Sequence, residues 1–143
     1  MACGLGYRAH FLKHVAASVE EGRVDFSELS LLDYEEARRT LVKDLLGEKL
    51  LPGVGPKVAD CVLLYSYDKD EAFPIDVWIA REIVKSYPTL LDPSLRMKLA
   101  PERKAKIGRG DYDRISSEVR SYFGPYAGYA QQYLFMMARS ARS

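Results

Sequence analysis

Leu51-Pro52-Gly53-Val54-Gly55-Pro56-Lys57-Val58-Ala59-Asp60-Cys61 is the stretch that decides how this chain is read. Two glycines flank Val54 and allow a tight turn between helices, with the backbone free to approach a ligand closely. Pro56 suits the first turn of a following helix. Val58, Ala59, Val62 and Leu63 give that helix an apolar set and carry it to about Tyr67. N–H groups exposed at such a helix start bind a phosphate, a contact that positions DNA without reading its sequence. The same Pro-Gly-Val-Gly is also read as a helix C-cap followed by a new helix. Lys57 stands beside the suspected phosphate site. A lysine in a partly desolvated pocket near other cations loses proton affinity and becomes a nucleophile; at a surface it meets phosphate as a point charge.

To either side of the turn the periodicity is helical. Phe11, Leu12, Val15, Ala16 and Val19 repeat at helical spacing between Tyr7 and Glu21, and Gly22 ends the run. Asp25 and Ser27 open a short second segment. Asp33 is placed to cap a helix with Glu35 and Glu36 in its first turn and Leu41, Val42, Leu45 and Leu46 on one face. After Pro74, Asp76 is placed to cap a helix through Trp78, Ile79, Ile83 and Val84 to Tyr87, where Pro88 stops it. A cap and a chemical role are compatible, since a helix N-terminus favours negative charge. Residues 89–110 are the least patterned, with Lys98, Arg103, Lys104, Lys106 and Arg109 making a basic stretch. Asp111 or Asp113 is expected to cap a helix to Phe123, and a last helix runs from Tyr126 to about Arg139 after Gly124-Pro125. No strand alternation of useful length and no internal repeat appear, so the expected fold is all-α.

The 143 residues are one domain's worth, 48% hydrophobic and 29% charged. A net charge of +1 leaves any nucleic-acid contact to local placement of charge. Cys3 and Cys61 are the two cysteines, which excludes an iron–sulfur or zinc site held by four cysteines within the chain. They make no disulfide framework, and a reducing compartment is the default. No run approaches the ~20 apolar residues of a membrane span, and the first residues lack the pattern of a signal peptide. The expected location is intracellular, in the cytoplasm or nucleoid, or in the nucleus.

Three separated blocks resemble the 8-oxoguanine DNA glycosylase/AP lyases of the helix-hairpin-helix DNA glycosylase superfamily. Gly4-Leu5-Gly6-Tyr7-Arg8-Ala9 is similar to one element of that family. Residues 51–61 are similar to its hairpin and catalytic lysine. Phe123-Gly124-Pro125-Tyr126-Ala127-Gly128-Tyr129-Ala130-Gln131 is similar to its C-terminal helix. With Pro74-Ile75-Asp76-Val77 between them, the blocks span most of the chain in the family's order.

The resemblance implies a single helical domain over 1–143, with its hairpin at about 50–57. It implies a base-excision repair enzyme that flips 8-oxoguanine out of duplex DNA. Lys57 and Asp76 would be catalytic: the amine attacks the anomeric carbon and forms a Schiff base, and the carboxylate stabilises charge on the sugar. β-Elimination then cuts the strand. Cys61, Gln131 and Phe135 would form the base pocket, with Phe135 on the same helix face as Gln131. Tyr7 would wedge into the gap, Arg8 would contact the orphaned cytosine, and backbone N–H groups of Gly53, Gly55 and Val58 would hold the phosphate. Carbonyls of Lys49, Leu51 and Val54 would hold a monovalent cation; no other cofactor and no iron–sulfur cluster are implied.

Two positions depart from the family. Trp78 stands where a phosphate-contacting histidine is common, and Ala138 where an acidic pocket residue is common. The family's region preceding the Gly-Leu-Gly-Tyr-Arg block is not in this sequence. The expectation is therefore a fragment, a minimal protein, or a chain whose missing part another chain supplies, with an uncovered helical face that favours self-association or a second chain. Two other readings stand beside the enzyme: a non-catalytic DNA-binding fragment, and a related glycosylase with another lesion preference.

Overall fold

Residues 4–42, 44–45, 48–49, 51–100 and 107–140 are described by a computed structural model. Cys3, Leu46, Arg103, Lys104 and Lys106 lie outside the described residues. Among the described residues seven α-helices follow in order: α1 (Ala9–Glu20), α2 (Tyr34–Val42), α3 (Pro56–Ser66), α4 (Val77–Ser86), α5 (Pro93–Leu99), α6 (Arg109–Phe123) and α7 (Ala127–Ser140). Short 3-10 turns at Gly6–Arg8, Glu28–Ser30 and Gly124–Tyr126 join or precede them.

The caps expected at Asp33 and Asp76 form. Asp33 Oδ1 accepts the Glu36 N–H and Asp76 Oδ1 accepts the Ile79 N–H, both at 2.8 Å. Each satisfies a first-turn donor that would otherwise be orphaned, which is worth ~1 kcal/mol. Gly22 ends α1 with φ +67°, a conformation costly for any residue with a Cβ.

Three details differ from the sequence expectation. Helix α2 ends at Val42, and Leu45 belongs instead to a two-residue antiparallel ladder. That ladder pairs β1 (Asp44–Leu45) with β2 (Glu48–Lys49), giving backbone groups partners once the helix has stopped. Helix α5 forms inside the segment that reads as unpatterned. Asp92 caps it by accepting the N–H groups of Ser94 and Leu95, with Pro93 at the first helical position. Helix α6 starts earlier than Asp111 or Asp113 and is capped by Gly108; those aspartates instead pair with Lys98 and Arg38. Helix α1 has an uncovered face of the kind expected: Ser18 is its buried residue, while Leu12 (52% exposed) and Val19 (41%) face outward.

Among the described residues the buried apolar side chains form two cores. One joins Val24 and Leu29 to α2 and α3 through Tyr34, Ala37, Leu41, Ala59 and Leu63. The other joins Phe73 and Ile75 to α4–α7 through Ile79, Ile83, Leu95, Ile115, Val119 and Leu134. Each fully buried Ile, Leu or Phe contributes about 1.5–3 kcal/mol. Charged pairs between α2 and α6 tie the two together at the surface. Arg38 meets Asp113 at 2.7 Å, and Arg120 meets Glu35 at 2.6 Å while lying 3.9 Å over the Tyr34 ring. Helix α7 approaches the 70–72 segment so closely that the Gly128 N–H donates to the Asp70 carbonyl at 2.7 Å. Its outer face leaves Tyr129, Tyr133, Met136 and Met137 exposed. No helix among the described residues is long and apolar enough to cross a membrane.

Candidate active site

Gly53 turns the chain at φ +86°, and the Val54 N–H donates to the Leu51 carbonyl at 3.1 Å. This closes a hairpin over residues 51–55. Leu51 is buried beneath it. A Cβ on Gly53 would stand 2.8 Å from the Phe11 ring, so glycine is required here by both conformation and space. Gly55 is extended and precedes α3 with no side chain capping the helix. The first-turn N–H groups of α3 therefore face outward without a side-chain acceptor, as the phosphate reading requires.

Beside this helix start lies a cleft of about 490 Å³ with three walls. Gly53, Gly55, Lys57 and Val58 form the first, and Ile75, Asp76 and Val77 the second. Ile107, Gly108, Arg109 and Tyr112, from the start of α6, form the third. The hairpin, the lysine and the aspartate thus meet in one cavity although Asp76 lies 19 positions after Lys57 in the sequence. Lys57 is exposed at the cleft, not desolvated, and Asp76 is half-buried.

The other expected residues stand apart from the cleft walls. Gln131 is buried: its Nε2 donates to the Pro74 carbonyl at 3.1 Å, and its Oε1 accepts from Gln132 at 2.5 Å. Phe135 shares its helix face as expected, but packs on the larger core with the Arg139 guanidinium 5.5 Å over its ring. Cys61 is half-buried and free, one turn beyond Lys57. Trp78 is exposed, with Arg81 5.7 Å over its ring. Tyr7 is exposed, with Arg8 4.9 Å over its ring, and meets Phe11 edge-on at 6.4 Å. Since Phe11 also packs on Gly53, the expected wedge is moored to the hairpin. The Leu51 carbonyl already accepts the turn bond from Val54, and Lys49 lies in β2.

Sequence reading missed the third wall and a buried carboxylate behind it. Asp60 is fully buried on the apolar face of α3. Tyr34 Oη and Arg38 Nε donate to its Oδ1 at 2.8 and 3.1 Å, and Tyr112 Oη donates to its Oδ2 at 2.5 Å. Burial pushes the Asp60 carboxyl above its ordinary value, against the opposing pull of Tyr112, Arg38 and Tyr34. Burial, together with the nearby Asp60 charge, raises the Tyr112 hydroxyl well above the usual tyrosine range. The signal was present in the sequence: an aspartate between Ala59 and Leu63 on a buried face demands partners.

No protein-family model matches the chain. The probable N-glycosylase/DNA lyase of Methanothermobacter thermautotrophicus is 37% identical over 139 residues, which is 96% of this chain and 36% of that protein. The N-glycosylase/DNA lyase OGG1 of Arabidopsis thaliana is 32% identical over 139 residues, 93% of this chain and 33% of that protein. Among solved structures, the fold matches the 8-oxoguanine glycosylase/lyase of Clostridium acetobutylicum, described in complex with duplex DNA containing cytosine opposite 8-oxoguanine. The TM-score is 0.72 at 29% identity, covering 99% of this chain and 40% of that one. The chain thus spans between a third and two fifths of the length of these relatives.

Proposed function

We propose that this chain, which belongs with the N-glycosylase/DNA lyases by sequence and by fold, carries the DNA-binding hairpin and the reacting pair of an enzyme that excises 8-oxoguanine from duplex DNA. The observation that carries the proposal is the cleft in which the uncapped start of α3, Lys57 and Asp76 converge. A DNA phosphate binds the N–H groups of Gly53, Gly55 and Val58, which sets the adjoining sugar against Lys57. The Lys57 lone pair bonds to C1′ as the bond from C1′ to the base breaks. The base leaves with that electron pair and takes up a proton. Opening of the sugar ring gives a Schiff base between Lys57 and C1′. Loss of a C2′ proton then expels the 3′ phosphate and cuts the strand. Asp76 stabilises the positive charge that develops on the sugar and accepts protons in these steps.

Other assignments follow from position. Tyr7 fills the gap left by the flipped base, Arg8 reaches the orphaned cytosine, and Cys61 and Phe135 flank the base. Gln131 reads the base edge, which requires it to exchange its bond to the Pro74 carbonyl or to Gln132 for one to the base. Trp78, stacked with Arg81, approaches the backbone of the DNA. The carbonyls of Lys49 in β2 and of Leu51 and Val54 in the hairpin are uncharged oxygens that would suit a hard monovalent cation, which would add charge against the phosphate and no other chemistry.

Borohydride reduction in the presence of duplex carrying 8-oxoguanine opposite cytosine tests the proposal. A covalent adduct is expected with the wild-type chain, none with an undamaged duplex and none with Lys57→Ala. Absence of the wild-type adduct, or its survival in Lys57→Ala, overturns the proposal. A second reading, a DNA-binding portion without chemistry, is favoured by Gln131 and Phe135 standing outside the cleft walls. It predicts salt-sensitive binding with no adduct.

A further inference from the structure

We propose that Asp60 and Tyr112 form a positioning relay that sets Asp76 against Lys57 across the seam between the two apolar cores. The proposal rests on Lys57 and Asp76 being the reacting pair. Lys57 and Asp60 lie one turn apart on α3, whose buried residues Ala59 and Leu63 belong to the core it shares with α2. Asp76 caps α4, whose apolar residues belong to the other core. Apolar burial is non-directional. It brings the two cores together without fixing the separation or register of the two helix starts. That takes a directional contact across the seam.

The relay supplies one. Asp60 Oδ2 accepts from Tyr112 Oη at 2.5 Å, and the same Tyr112 oxygen accepts the Ile75 N–H at 3.2 Å. Ile75 is bonded to Asp76, so one side chain and two hydrogen bonds link the helix of the lysine to the backbone of the aspartate. Asp60, Tyr112 and Ile75 are all buried, which removes the competition from water that weakens such bonds at a surface. The Tyr112 hydroxyl is committed to both neighbours, so it holds geometry and does not touch the reacting atoms. Tyr34 provides an internal contrast. It donates to the other oxygen of the same carboxylate at 2.8 Å and comes from α2, on the lysine side of the seam. Both tyrosines support Asp60, but Tyr112 alone of the two bridges to Ile75.

Tyr112→Phe and Tyr34→Phe separate positioning from support of the fold. Each removes one hydroxyl from Asp60; only Tyr112→Phe frees the Ile75 amide. Hydrogen exchange at the Ile75 amide is expected to accelerate in Tyr112→Phe and to stay at the wild-type rate in Tyr34→Phe. At saturating lesion duplex, Tyr112→Phe is expected to slow borohydride trapping by about tenfold or more with DNA affinity within about twofold, as for a misplaced reacting group. Tyr34→Phe is expected to keep both. Should Tyr112→Phe fail to fold, Asp60→Asn takes its place: it leaves the Ile75 amide bonded to Tyr112 but weakens the hold of α3 on Tyr112, so trapping is expected to slow with DNA affinity within about twofold, and trapping at the wild-type rate overturns the relay. Equal behaviour of the Tyr112 and Tyr34 variants in exchange and trapping overturns the relay. If the wild-type chain forms no adduct, the proposed function fails, while the exchange comparison still decides the relay.

Discussion

Gly128→Ala is the substitution for which sequence and structure make opposite forecasts. Gly128 lies in the first turn of α7. By helix propensity alone, alanine there is favoured by up to ~1 kcal/mol. In the folded chain a Cβ at this position would meet Leu64 Cδ1 at 2.4 Å, the Asp70 carbonyl at 2.8 Å and the Ala72 carbonyl at 3.0 Å. The leucine can rotate away, but the two carbonyls move only with their backbone. Restoring ordinary contact displaces the Asp70 carbonyl by about 0.6 Å in an interior packed like a crystal. Overpacking of this kind costs about 1–3 kcal/mol. Weakening the 2.7 Å bond from Gly128 N–H to Asp70 adds about 1 kcal/mol. The net expectation is a loss of about 1–3 kcal/mol after the helix gain is subtracted. At about 2–4 °C per kcal/mol for a chain of this size, the midpoint falls by roughly 2–12 °C. Urea unfolding with an unchanged m-value measures it. The displaced segment continues through buried Phe73, Pro74 and Ile75 to Asp76, so trapping should slow as well. A variant as stable as wild type, or more so, refutes the claim that α7 is held by backbone contact at Gly128.

Gly53→Ala should destabilise the chain by about 1–3 kcal/mol, because φ +86° and the Phe11 ring both oppose a Cβ. Gly55→Ala has open space and a negative φ, so it should unfold within ~0.5 kcal/mol of wild type while weakening duplex binding in fluorescence anisotropy. Equal stability losses would contradict the hairpin geometry. The pH dependence has a definite sign at Asp60. Burial raises its folded value above the unfolded value of about 4, so the folded state takes up the proton first. Asp60 therefore adds stability as pH falls from above its folded value toward about 4, partly offsetting losses elsewhere. Asp25 and Asp92 act oppositely: hydrogen bonds from Ser27 and Ser94 respectively hold them below the ordinary range, and their contribution is lost on acidification. Thermal melts of Asp60→Asn should show a steeper fall with acidification than wild type; parallel curves would contradict it.

The parts of this fold that the sequence declares are those decided within a few residues. The caps at Asp33 and Asp76, the stop at Gly22 and the turn at Gly53 each depend on contacts or conformations three residues wide or less. So does the placement of Lys57 in the first turn of α3. Helix α5 was legible by the same logic in Asp92-Pro93, but the sparse apolar pattern around it hid the cap. The start of α6 was misread because Asp111 and Asp113 resemble caps, whereas their partners Lys98 and Arg38 are remote in sequence.

How those pieces face one another depends on contacts made only in the folded chain. Gln131 is drawn to a carbonyl 57 residues away, and Asp60 to hydroxyls 26 and 52 residues away. Such pairings follow from how two cores dock, and no local propensity encodes them. Local sequence is enough for a glycine hairpin, a lysine one step into a helix and a capped aspartate. Folding determined that all three share one cleft, that Tyr112 forms its third wall, and that a buried carboxylate stands behind the lysine. The physical reason is that turn and cap chemistry is local, whereas a catalytic geometry is set by side chains that meet only after the chain has closed on itself.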